Sequence, residues 1–350
     1  MMERRRDRAG RRRRAPKGSL ARAAVAAPAV LALVTLAACG GAASGSDGQR
    51  ATDGQAPAGA KWERGEDWRH VHQVLGYLEE YPPEGAVVYL LGGSAVREST
   101  VSDRSWRREV ERAGGPRVEV FNLGATNQSF DHNITMVERL PAVPALVIIG
   151  VNVGRYANSA PDPPGSVPPL PLKGFLTPHG GATIEPYVQH KFTQGRAGPV
   201  RKREMLDRWV SERLPVFREF FGYNAGRLEA LVQACLDRGF HPVILNMPLN
   251  LEIIGDHMDE PRVRYEQQCR AVATKHDIPF VDWVPRIDLV SEDFVDNWHL
   301  IEPGRVKWQA ELSALTVAML RRYGLGDDGA AGAGAQALGA PAPDDDSETQ

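Results

Sequence analysis

Five short apolar runs, separated by segments of helical character, constrain this chain more than any other feature. Residues 145–149 are Ala-Leu-Val-Ile-Ile, apolar at every position. A strand with one face in water alternates apolar and polar residues, so an unbroken apolar run indicates cover on both faces. Residues 86–91 read as a second buried strand, and further strands are predicted at 117–122, 242–246 and 279–283. Helices are predicted around them. Over 66–80, Trp68, Val71, Val74, Leu75 and Leu78 fall at helical spacing. A charged amphipathic helix over 102–113 ends at Gly114-Gly115-Pro116, and one over 131–140 is stopped by Pro141. Others are predicted at 201–221, 224–238, 261–275 and 303–323, the last with Pro303 near its first turn. Alternating strands and helices give an α/β fold, a parallel sheet with helices on both faces.

The ordered part spans about 61–325, a length that suits one domain. Its pattern breaks over about 155–200, an insertion rich in Pro and Gly that includes Pro161-Asp162-Pro163-Pro164. Loops of this length are usually functional or disordered. Residues 40–60 are Gly, Ala, Ser, Asp and Gln, the composition of a flexible tether, and 326–350 form a similar tail with an acidic finish.

The first 38 residues have the character of a targeting segment. Ten Arg and Lys between residues 4 and 22 precede an apolar stretch, 23–38, too short for a confident membrane span and interrupted by Pro28. That stretch ends in Leu36-Ala37-Ala38-Cys39, which resembles the lipobox of bacterial lipoproteins. The resemblance implies cleavage before Cys39 and lipid attachment to it, hence a protein anchored on the extracytoplasmic face of the cell membrane. An ordinary secretory signal with a chance cysteine is the alternative. Removing residues 1–38 takes away ten basic and two acidic residues, leaving 32 basic against 42 acidic, a net charge of −10. That balance argues against nucleic acid as a partner. Cys235 and Cys269 remain, either paired or as buried thiols, and no Cys-x-x-Cys or His-rich cluster suggests a metal.

Ligands of parallel sheets bind outside the carboxyl ends of the strands. Gly92-Gly93-Ser94 follows the first predicted strand, Asn122-Leu123-Gly124 the second and Gly150-Val151-Asn152 the third; Asp296 and His299 follow the fifth after a loop. Serine needs a base to become a nucleophile, and imidazole titrates near neutral pH. An aspartate can hold that imidazole in one tautomer, and a tetrahedral intermediate needs donors for its oxyanion. Ser94, His299 and Asp296 are therefore the candidate catalytic residues, with the Ser94 and Gly124 amides and the Asn152 side chain as the candidate oxyanion hole. Each piece alone also reads as turn or capping chemistry.

Serine, glycine, asparagine and Asp-x-x-His in this order resemble the SGNH (GDSL-like) hydrolase superfamily. The family's Gly-Asp-Ser block is matched by Gly92-Gly93-Ser94, its glycine block by Gly124, its Gly-x-Asn-Asp block by Gly150-Val151-Asn152-Val153 and its last block by Asp296 and His299. Gly93 and Val153 depart from the acidic residues usual at those places. The resemblance implies a three-layer, five-stranded, flavodoxin-like sheet, ester substrates such as acylated lipids or carbohydrates, and no cofactor. It makes a lipid-anchored serine esterase the leading expectation. Acyl transfer to a polysaccharide and a non-catalytic binding lipoprotein are the alternatives. The Gly-x-Ser-x-Gly elbow of α/β-hydrolases is absent. Arg97, Arg155, Tyr156 and Asn246 are candidate substrate contacts. His179 and His190 in the insertion read as surface residues, and Trp298 as packing rather than a sugar platform.

Overall fold

The computed structural model describes residues 66–158 and 197–326. The leader with Cys39, the tether, most of the insertion with His179 and His190, and the acidic tail lie outside the described residues, as do the domain limits drawn on them.

Five parallel strands, β1 (Val87–Leu91), β2 (Glu119–Asn122), β3 (Ala145–Val151), β4 (His241–Asn246) and β5 (Phe280–Asp282), form one sheet in the order β2-β1-β3-β4-β5. Val87 of β1 is level with Glu119 of β2 on one side and with Ala145 of β3 on the other. The chain leaves β1 toward one edge and later crosses to build the other. Between the carboxyl ends of β1 and β3 the strand order reverses, and there a doubly wound sheet opens a crevice.

The alternation of side chains along each strand divides the core in two. Val87, Tyr89 and Leu91, with Ala145, Val147 and Ile149, pack against α1 (Glu66–Glu80), α4 (Phe130–Arg139), α5 (Pro199–Asp237) and α7 (Asp259–Lys275). Val88 and Leu90, with Leu146 and Ile148, face α3 (Asp103–Arg112) and α8 (Glu302–Arg322), where Trp106 and Trp308 are fully buried. Every residue of β1 and β3 is buried, as expected for strands covered on both faces. Two one-turn helices, α2 (Ser94–Arg97) and α6 (Leu251–Ile254), follow the ends of β1 and β4. Among the described residues no helix is long and apolar enough to cross a membrane.

One prediction needs correction. The two helices expected over 201–221 and 224–238 are a single helix, α5, with Pro215 inside it. Proline removes a backbone donor and crowds the preceding turn, but the buried side of α5 runs past it without interruption. Leu214, Phe217, Phe221, Ala225 and Leu228 are all buried. This continuous burial outweighs the local cost of the proline. Cys235 and Cys269 are free buried thiols, and burial pushes both pKa values up to about 12.

Candidate active site

The nucleophile candidate is placed by glycines. Ser94 opens α2, immediately beyond β1. A Cβ added to Gly92 or Gly150 would lie 2.3 or 2.2 Å from Val96 Cγ2, and one on Gly124 would lie 2.5 Å from the Arg97 amide. All three distances are below contact, so the ends of three strands are stripped of side chains to seat α2. The far end of α2 is tied down by charge. Glu98, with no exposed surface, accepts from Arg97 Nε at 2.8 Å and from the Arg305 guanidinium of α8. Arg305 Nε also donates to the Glu98 carbonyl at 3.0 Å, and Arg97 Nη1 to Thr126 Oγ1 at 3.0 Å.

The base candidate is carried differently. The 293–301 loop is pinched by a bridge between Phe294 and Leu300, with the Val295 amide donating to the His299 carbonyl at 2.9 Å. Phe294 is fully buried and anchors the loop. Asp296 Oδ1 accepts the backbone amides of Trp298 and His299 at 3.0 and 2.9 Å, a turn closed by its own side chain. Asn250 buttresses it, its side-chain amide donating to the Asp296 carbonyl at 3.1 Å.

The two assemblies meet. His299 Nδ1 lies 2.6 Å from Asp296 Oδ2, and His299 Nε2 lies 2.8 Å from Ser94 Oγ. An ionised carboxylate only accepts, so Nδ1 carries the proton and Nε2 offers its lone pair to the Ser94 hydroxyl. Burial alone would raise the Asp296 pKa. The charge and ring N–H of His299, with the two backbone donors, outweigh it and hold the carboxyl below its ordinary value. The carboxylate thus stays ionised next to the imidazole, as a base–orienter pair requires.

The Ser94–His299 bond borders a cleft of about 320 Å³. Asn152 lines it, and its Oδ1 accepts the Arg155 amide at 3.3 Å, which leaves the side-chain NH₂ as the group available to a ligand. The Ser94 amide belongs to the first turn of α2, where a helix leaves its donors unpaired. The structure therefore brings Ser94, Asn152, His299 and Asp296 together.

Other expected site residues fall elsewhere. Gly124 is buried under α2, and its amide donates to Asn122 Oδ1 at 3.0 Å, so close packing rather than substrate approach demands a glycine there. Arg97 belongs to the buried Glu98 ion pair and does not line the cleft. Tyr156, fully buried, stacks between Phe221 and Tyr265, with its hydroxyl 3.2 Å from Cys269 Sγ. Asn246 is also fully buried, accepting from the Tyr265 hydroxyl at 2.8 Å and donating to Asp282 at 3.1 Å. Arg155 does line the cleft, but its guanidinium is clasped by the Gln128 carbonyl and Asn133 Oδ1 over the Phe130 ring.

Several lining residues were not anticipated. Thr126, Asn127 and Gln128 occupy the wall where Gly124 was expected. Asn127 is in the left-handed backbone region, φ 55°, which asparagine tolerates better than most residues. Trp209 and Arg213 of α5 also line the cleft, one helical turn apart, a spacing legible in the sequence once α5 is known to pass the site. Trp298 lines the cleft as well, meeting Trp209 edge to face with ring centroids 5.8 Å apart, so it is more than core packing.

No family model and no curated protein matches the chain. Solved structures overlap it along the chain trace. A lipase/acylhydrolase from Enterococcus faecalis is 12% identical, with 68% of this chain and 96% of that chain covered and a TM-score of 0.36. Axe2, an acetylxylan esterase from Geobacillus stearothermophilus, is 12% identical, with 69% and 95% covered and a TM-score of 0.41. The chemistry assigned to the cleft rests on its own geometry.

Proposed function

We propose that this protein is a serine ester hydrolase. The observation that supports it is the unbroken hydrogen-bond chain from Asp296 through His299 to Ser94, ending at a cleft over the strand-order reversal. His299 Nε2 takes the hydroxyl proton as Ser94 Oγ bonds to the ester carbonyl carbon. The Ser94 amide and Asn152 NH₂ face the resulting oxyanion. The imidazolium, stabilised by Asp296, returns the proton to the departing alkoxide, and an acyl group remains on Ser94. Water, deprotonated by the same imidazole, then releases the carboxylic acid.

A fluorophosphonate probe tests this reading. It should label the wild-type protein once, at Ser94, and Ser94→Ala should abolish labelling. Labelling elsewhere would overturn the role given to Ser94, and none by a folded protein would overturn the reading in favour of a binding protein. An acceptor hydroxyl in place of water turns the same cycle into acyl transfer, so product analysis with a polysaccharide present separates the two.

The leader carries the second part of the reading. Leu36-Ala37-Ala38-Cys39 supports export and lipid attachment at Cys39. Incorporation of a clickable fatty acid into wild type, and its loss in Cys39→Ala, is the expected result.

A further inference from the structure

We propose that the cleft selects esters whose alcohol part carries a negative charge, and that Arg213 holds that charge. The inference rests on the hydrolase reading and names the substrate class for the same site. Among the described residues, the permanently charged side chains lining the cleft are Arg155 and Arg213; no carboxylate lines it. Asp296 stands behind His299, with its oxygens on the ring Nδ1 and two backbone amides.

The two arginines differ. The Arg155 guanidinium is spent on the fold, bonded to Gln128 and Asn133 and stacked 4.3 Å over Phe130. Arg213 is half-buried, donates one bond, from Nη2 to the Ala157 carbonyl at 2.5 Å, and pairs with no described carboxylate. That bond fixes the direction of the side chain while leaving most of its five donors for a ligand. A guanidinium held in this way suits the paired oxygens of a carboxylate or a phosphate.

Two further observations sharpen the class. Without residues 1–38 the chain has a net charge of −10, so its overall field does not attract anions and a local cation must do so. Trp298 joins Arg213 in the lining and stands against the base, its ring centroid 6.2 Å from that of His299. An aromatic wall beside the scissile bond suits a ring-bearing alcohol. An acyl ester of an acidic sugar or of a sugar phosphate fits both features.

The test compares three acetyl esters that differ in one group: methyl 2-O-acetylglucoside, the corresponding glucuronoside and the corresponding glucoside 6-phosphate. Wild type should give a kcat/KM at least roughly tenfold higher for one or both anionic esters than for the neutral one. Which anionic ester leads separates carboxylate from phosphate. Arg213→Gln should collapse that ratio toward one, and Arg213→Lys should restore part of it. Raising the salt concentration on wild type should lower the ratio too, a check that needs no variant. Equal rates on all three esters, or a ratio unchanged in Arg213→Gln, would overturn the inference while leaving the hydrolase reading intact. If no ester is cleaved, probe labelling at Ser94 still decides the hydrolase reading, and binding of unacetylated glucuronate and glucose 6-phosphate decides the charge site separately. An Arg213-dependent melting shift absent with glucose supports the charge site, and no shift overturns it.

Discussion

The two walls of the cleft are built on opposite principles. The Ser94 wall is made by close packing, with Gly92, Gly124 and Gly150 giving up their side chains so that α2 can sit on three strand ends. The His299 wall is a loop held by hydrogen bonds, to the Asp296 carboxylate, across the bridge near Phe294 and from Asn250. Close packing tolerates no added atom, whereas a hydrogen-bonded loop tolerates many side chains provided its polar partners stay. Substitutions on the first wall should therefore damage the fold and the chemistry together. On the second wall the two should separate.

The largest separation is expected at His299. Its ring is linked to Asp296 and Ser94 but does not anchor the loop, a task that falls to buried Phe294. His299→Ala should lower kcat by about 10⁴ or more, as loss of a triad base does. The melting temperature should stay within about 3 °C of wild type, a shift that corresponds to roughly 1–1.5 kcal/mol for a domain of this size. A drop of 10 °C would show that the base wall, too, depends on packing.

Acid should act first on the Ser94 wall. Behind it, the Trp68 indole of α1 donates to the Thr126 carbonyl at 3.0 Å, and His132 Nδ1 accepts the Ser129 amide at 3.1 Å. Burial, with help from the charge of Arg155, lowers the His132 pKa to about 3; burial and Arg139 lower that of His72 to about 4. In the unfolded chain both imidazoles take a proton near pH 6.5. Between that pH and the lowered values the unfolded state binds more protons, so stability is full above about 6.5 and declines as pH falls. His72 alone would account for a loss on the order of 3 kcal/mol by about pH 4. His72→Leu should lessen the slope of melting temperature against pH between 6.5 and 4, His132 supplying the slope that remains. Hydrogen exchange at pH 5 should quicken over 126–130 before 294–300. The reverse order would break the comparison.

At neutral pH the same wall should fail to a single methyl group. Gly150→Ala places a Cβ against Val96 Cγ2 and 2.8 Å from Met247 Sδ, an overpacking expected to cost about 1–3 kcal/mol. Because α2 must shift to make room, kcat should fall in the same variant. Denaturant unfolding alongside ester turnover would reveal a Gly150→Ala protein that is destabilised yet fully active, which the packed-wall account excludes.

This contrast also explains what the sequence disclosed. The apolar runs, the helical spacing of Trp68 to Leu78 and the turn chemistry at Gly92-Gly93-Ser94 are local signals, and strand positions follow from them. Asp296 and His299 were legible because their spacing is itself the motif. Gly124 was misread because a glycine at a strand end looks the same whether it faces a ligand or a helix; only Val96 and the Arg97 amide, 28 and 27 residues earlier in the chain, tell them apart. Tyr156 follows β3 and Asn246 is the last residue of β4, but their side chains turn into the aromatic core around Tyr265. Trp209 and Arg213 went unnoticed because their role depends on where a helix beyond the insertion passes, which no local pattern encodes.

The smallest effect tests the rule where it predicts nothing should happen. Gly93 lies between Gly92 and Ser94, in the place where the resembling family carries an acidic residue. Its backbone angles, φ −76° and ψ −160°, suit any residue, and an added Cβ would meet Arg155 Cδ at an ordinary 3.5 Å. Gly93→Ala should therefore be neutral or stabilise the fold by about 0.4–1 kcal/mol through the unfolded chain. Two glycines adjacent in sequence would then differ sharply in tolerance, because Gly92 is pressed against Val96 and has a φ of +156°, and neither is true of Gly93. Equal damage from Gly92→Ala and Gly93→Ala in parallel melts would mean that the turn requires glycine conformation at both places. The packing of α2 would then not be what sets the Ser94 wall apart.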